Sequence, residues 1–89
     1  MKYLIVVVFT ALLCSCAVKA PVQEMSEARS AIERAQQLDL KSPKADKALK
    51  SAEQSLKEAA AAIDGKRYEV ARRKAVEAKR NAQLAAKIK

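Results

Sequence analysis

An all-α fold, either an Ala-rich antiparallel three-helix bundle or a long helical hairpin, is what this 89-residue sequence predicts. Three observations carry that expectation. Small and apolar residues recur every three or four positions between residues 25 and 85, the period of a single helix face. Two interruptions, "KSPKAD" at 41–46 and "DGK" at 64–66, cut the stretch into three rods. Alanine, the strongest helix former, supplies 19 residues.

The rods are preceded by a different kind of segment. Met1-Lys2 is a short positive start, and "YLIVVVFTALL" (3–13) is an unbroken apolar run. A membrane-spanning helix needs about 20 such residues, so the run is too short to span, and it fits the apolar region of a secretory signal peptide. An ordinary signal-peptidase cut after Val18-Lys19-Ala20 is obstructed by Pro21. "LCSC" (Leu13, Cys14, Ser15, Cys16) resembles a bacterial lipobox, in which Leu, a variable residue and a small residue precede the modified Cys. The resemblance implies that residues 1–15 are a lipoprotein signal peptide cut before Cys16. It further implies that diacylglycerol and an N-acyl chain are carried on Cys16, with 16–21 as the lipidated tether. Cys14 sits in the variable position and leaves with the signal peptide. The competing readings are a Cys-x-Cys metal or redox site or a strained local disulfide. No His and no further Cys exist to complete them. Ala17 in place of Asp after the Cys resembles the outer-membrane default of enteric lipoproteins, so an outer-membrane location facing the periplasm is expected.

Residues 22–89 are read as the helical domain. The first helix is expected over about 22–41, with Met25, Ala28, Ile32, Ala35 and Leu38 on one face. Ser42 as N-cap and Pro43 as first helical residue open the second, over 43–63. Its face is Ala45, Leu49, Ala52, Leu56, Ala59 and Ile63. Gly65 suits the left-handed position that ends a helix. The third helix, over 67–88, presents Tyr68, Ala71, Ala75, Ala78, Ala82 and Ala85, a nearly pure alanine seam. Two short connections favour up-down-up packing. In the hairpin alternative, the first helix is a loose arm. The core is thin: from Ala17 onward only 12 of 73 residues are Leu, Ile, Val or Phe. Marginal stability follows, and self-association through the alanine seam is an open expectation.

The net charge of +8 is concentrated at one end. Residues 19–65 carry eight basic and eight acidic side chains, whereas 66–89 carry nine basic against Glu69 and Glu77. Lys66, Arg73, Arg80 and Lys87 recur every seven residues, with Arg72 and Lys79 in a parallel row. One reading is a solvated face with a Glu69–Arg73 pair and cations suited to a helix C-terminus. The other is a surface for polyanions: lipopolysaccharide phosphates, anionic phospholipid or peptidoglycan carboxylates. Nucleic acid is not expected, because the chain has no Trp, few aromatics and no groove-reading motif.

"GKRYEVARRKA" (65–75) is similar to the start of a tetratricopeptide helix, but no 34-residue repeat follows. The terminal Lys89, an acylated start and an Ala-rich body together resemble the small outer-membrane lipoprotein joined to peptidoglycan through its last lysine. The Pro- and Gly-punctuated body and the lack of a Tyr-Arg-Lys ending depart from that protein. "SEARSAIERA" and "ADKALKSAEQSLKEAAAAIDGKRYEVARRKAVEAK" resemble a family of short Ala/Glu/Lys/Arg-rich bacterial envelope lipoproteins of unknown function. Domains related to that family precede OmpA-like domains. The resemblance implies a lipid-anchored envelope protein with a structural or adaptor role toward protein or cell wall. The alternatives are a binding module for anionic envelope polymers through the third helix, or a small membrane-active lipoprotein. No enzyme, metal or cofactor beyond the Cys16 lipid is expected.

Overall fold

The computed structural model describes residues 19–88. Leu13, Cys14, Ser15, Cys16 and Lys89 lie outside them. Three helices follow one another: α1 (Val22–Gln37), α2 (Pro43–Asp64) and α3 (Tyr68–Ile88). They pack together as an all-α three-helix bundle. The second and third match the expected rods within a residue, and the first is shorter.

α1 starts at Pro21, which offers no side-chain cap; its carbonyl accepts from the Met25 amide at 3.0 Å. The helix stops at Gln37, four residues before the expected end, because Leu38 turns extended (ψ 148°). Residues 38–42 are instead the connection, and Leu40 folds back from it onto the core. α2 opens as its sequence dictates. Ser42 is extended, its hydroxyl oxygen accepts from the Ala45 amide at 3.4 Å, and Pro43 is the first helical residue. Pro43 has no amide hydrogen to leave unpaired there, and it holds Ser42 out of the helical region.

The end of α2 is displaced by one residue from the expectation. The Lys66 amide donates to the Ile63 carbonyl at 2.9 Å and the Arg67 amide to the Ala62 carbonyl at 2.8 Å. This paired closure places its left-handed residue at Lys66, with φ 59°. Gly65 has an ordinary φ of −87°.

α3 buries Ala71, Ala75, Ala78, Ala82 and Ala85, each 0% exposed, and no larger side chain. Tyr68 is only half-buried. An all-alanine face lets a neighbouring helix approach closely, and α2 turns its own small residues toward it. The buried face of α2 is Ala45, Leu49, Ala52, Ser55, Ala59 and Ala62. Leu56 and Ile63, expected in the seam, move to its margin. There they pack on the cluster formed by Met25, Ala59 and Ala75. Ile32 of α1 joins Leu49, Ala52, Ala78, Ala82 and Ala85 in the main cluster. Small residues thus dominate the α2–α3 contact, while the large buried apolar side chains are Met25 and Ile32 of α1 and Leu49 of α2. No buried side-chain nitrogen or oxygen among the described residues lacks a hydrogen-bond partner.

Ion pairs fix the directions. Glu24 meets Arg72 and Glu27 meets Lys79, so α1 and α3 run parallel. α2 returns between them through the turn at residues 65–67.

Candidate functional site

The chemistry available on the described surface is charge, and the bundle sorts the cations of its C-terminal third into two sets. Arg72, on the α1 side of α3, has Nε 3.6 Å from Glu24 Oε2 and donates from Nη1 to Glu69 Oε1 at 3.0 Å. Lys79, seven residues and about two turns on, donates to Glu27 Oε2 at 2.7 Å. Glu27 also accepts from Gln23 Nε2 at 3.2 Å. The hydrogen bond from Lys79, then that from Gln23, then the charge of Lys79 hold the Glu27 carboxyl below its ordinary pKa, against a smaller opposing effect of burial. On the α2 side, Lys74 lies 3.6 Å from Glu58 and 3.7 Å from Glu77. These three cations are structural partners that tie α3 to its neighbours.

The second set faces outward. Among the described residues, no carboxylate comes within 4.0 Å of Arg73, Arg80 or Lys87 on α3, or of Lys66 and Arg67 in the turn. Arg73, Arg80 and Lys87 are exposed. Their seven-residue spacing sets them about 10.5 Å apart along the helix. Lys66 does not continue that row, since it occupies the left-handed turn position and not α3. The Glu69–Arg73 pair expected from spacing is replaced by Glu69–Arg72.

Beside the row, an open cleft of about 550 Å³ lies among Arg72, Arg73, Val76, Glu77 and Arg80. A groove of about 420 Å³ runs between α1 and α3, lined by Ala31, Arg34, Ala82, Gln83, Ala86 and Lys87. Both are shallow surface features. Among the described residues, no group of three His, Cys, Asp or Glu side chains is placed to hold a metal ion. No described helix is long and apolar enough to cross a membrane.

Of the residues singled out from the sequence as a polyanion surface, the structure therefore keeps Arg73, Arg80 and Lys87 together as an outward row. It commits Arg72 and Lys79 to internal pairs and sets Lys66 apart in a turn. The acidic partners Glu24, Glu27 and Glu58 were not singled out. Their signal in sequence was the Glu24/Glu27 repeat on the α1 flank, which acquires meaning only once α1 is known to run parallel to α3.

A family model described as a domain of unknown function, DUF4398, matches residues 23–87. The chain belongs to the DUF4398 family. No curated protein matches it, and no solved structure does. The DUF4398 match begins one residue into α1 and ends one residue before the end of α3, so the family unit coincides with the three-helix body. Both ion-paired flanks and the outward cation row lie inside it.

Proposed function

We propose that this DUF4398 chain is a lipid-anchored protein of the bacterial cell envelope with a structural or adaptor role. The observation that carries the reading is Leu13-Cys14-Ser15-Cys16, placed directly after an apolar run of signal-peptide length and a few residues before α1 begins at Val22. In this reading Cys16 becomes the first residue of the mature chain and carries the acyl groups. Two or more chains give stable anchoring where one would not. The DUF4398 body is then tethered to the membrane through residues 17–21, at an outer-membrane site facing the periplasm. All three of its helices carry exposed charged side chains, which offer docking chemistry to protein or cell wall. A family relationship to domains that precede OmpA-like domains, and attachment of Lys89 to peptidoglycan, belong to the same proposal.

The test is the mass of the mature protein recovered from bacterial membranes, with palmitate labelling. The expected product starts at Cys16, carries the mass of diacylglycerol plus an N-acyl chain, and loses label in Cys16→Ser. A chain that starts at Met1 with no lipid mass overturns the reading.

A second reading, binding of anionic envelope material through α3, is favoured by one observation: Arg73, Arg80 and Lys87 project outward with no carboxylate among the described residues within ion-pair distance.

A further inference from the structure

We infer that the outward face of α3 lies against an anionic lipid bilayer, with Arg73, Arg80 and Lys87 at lipid phosphates and Val76 and Leu84 toward the acyl boundary. The inference deepens the second reading above, naming its partner, and takes its geometry from the lipid anchor.

The face is defined by helix geometry. Arg73, Val76, Arg80, Leu84 and Lys87 are spaced 3, 4, 4 and 3 residues, and at 100° per residue they fall within an arc of about 80°. That arc is centred opposite Ala71, Ala75, Ala78, Ala82 and Ala85, which point into the bundle. A core-packed helix has no need of apolar residues on its far side. Here Leu84 is 47% exposed, one of two large hydrophobic side chains so exposed among the described residues. Leu84 stands between Arg80 and Lys87, whose long side chains can reach phosphates while the leucine meets the acyl boundary.

The charge on that face is also uncommitted. Glu69, the carboxylate that shares the arc, is held by Arg72, and Glu77 at its margin by Lys74. The pairs that hold the bundle together therefore leave the outer row unaffected. A straight row about 10.5 Å apart suits a flat array of phosphates better than a compact ligand, which would need the cations to converge. Charge complementarity of this kind acts within a Debye length of the surface, about 8 Å at physiological salt.

The anchor brings the end of the bundle where the row begins close to that surface. α1 and α3 are parallel, so Val22 and the start of α3 lie at the same end of the bundle. The five residues 17–21 reach about 17 Å at most. A bundle on so short a leash can lie down on α3, with its cation row along the bilayer plane.

The full-length lipidated chain, placed on vesicles, tests this. A fluorophore is attached at Gln83→Cys, beside the proposed face, or at Gln54→Cys on the exposed side of α2; Cys14 has left and the Cys16 sulfur is blocked. Vesicles are phosphatidylcholine alone or with about 30% phosphatidylglycerol, with brominated lipid as quencher. On anionic vesicles the Gln83 probe is quenched and the Gln54 probe is not. Salt at about 0.5 M reverses the quenching, as does Arg73→Gln with Arg80→Gln. The charge-matched Lys44→Gln with Lys47→Gln on α2 leaves it intact. If the chain stays on the vesicles and the Gln83 probe is unquenched, the face is overturned and the anchor stands. If soluble peptidoglycan fragments or polyphosphate shift the Gln83 probe and anionic lipid does not, an anionic polymer replaces the bilayer as partner. A chain without lipid mass that still sediments with anionic but not neutral vesicles keeps the face and removes the anchor; one that sediments with neither overturns both.

Discussion

Lys79 Nζ lies 2.7 Å from Glu27 Oε2, joining α3 to α1 across 52 residues of sequence. With Arg72 and Glu24 one contact earlier, it makes an ionic margin along one side of the bundle. The two apolar anchors of α1, Met25 and Ile32, lie beside it in the core.

That margin predicts acid sensitivity confined to one helix. A carboxyl whose pKa is lowered on folding stabilises the folded state fully above its unfolded pKa, and loses that contribution as pH falls through the lowered value. Glu27 is such a group. Between about pH 6 and about pH 3, amide exchange in α1 is expected to rise before exchange in α2 and α3. Glu27→Gln removes the pH dependence of α1, and high salt weakens the wild-type contact. Hydrogen exchange resolved by helix reads both effects.

The alanine seam of α3 predicts that size, not polarity, limits that interface. Ala78→Leu inserts three carbons where α2 approaches α3, and is expected to destabilise the bundle by about 1–3 kcal/mol. Ala78→Gly removes one carbon and loses about 1 kcal/mol through helix propensity. Leu84→Gln, on the outward side, changes stability by no more than about 0.5 kcal/mol. Urea unfolding of the three variants ranks them.

Met25 is the buried hinge of α1 on Ala59 and Ala75. Met25→Ala is expected to lose about 2–5 kcal/mol of packing. Because α1 is a 16-residue helix stabilised mainly by packing of its apolar face, the loss appears as undocking and melting of α1 while α2 and α3 remain paired. Circular dichroism at low temperature, with exchange measured in α1, separates that outcome from global unfolding.

The α2–α3 turn predicts an unusual gain. Lys66 carries the positive φ and Gly65 does not. Lys66→Gly is expected to stabilise by about 0.5–1 kcal/mol. Gly65→Ala is tolerated, since a Cβ there meets nothing closer than Arg67 Nε at 3.5 Å. Thermal melts of both variants check the assignment.

These positions also show what a single sequence can and cannot convey. Three helices, the Ser42–Pro43 start and the five buried alanines of α3 follow from local periodicity, capping and propensity. The end of α1 does not. "QQLDLK" carries no strong stop signal, and the helix ends because Leu40 has a tertiary site on the core. The rotation of α2 that buries Ser55 and Ala62 in place of Leu56 and Ile63 was equally hidden, since both faces repeat with helical spacing. It follows from α3 presenting nothing larger than alanine. Half of the cation pattern was legible, because a seven-residue row is visible in the letters. Which of its members are spent on Glu24, Glu27 and Glu58 depends on the register of helices distant in sequence.

The parallel course of α1 and α3 has a simple geometric corollary. An odd number of passes puts Val22 and Ile88 at opposite poles of the body, separated by the length of a 21-residue helix, about 31 Å. Whatever is fastened at one pole is held at a set standoff from whatever is fastened at the other, so the body acts as a rigid strut whose reach changes by about 1.5 Å with each residue added to or removed from all three rods.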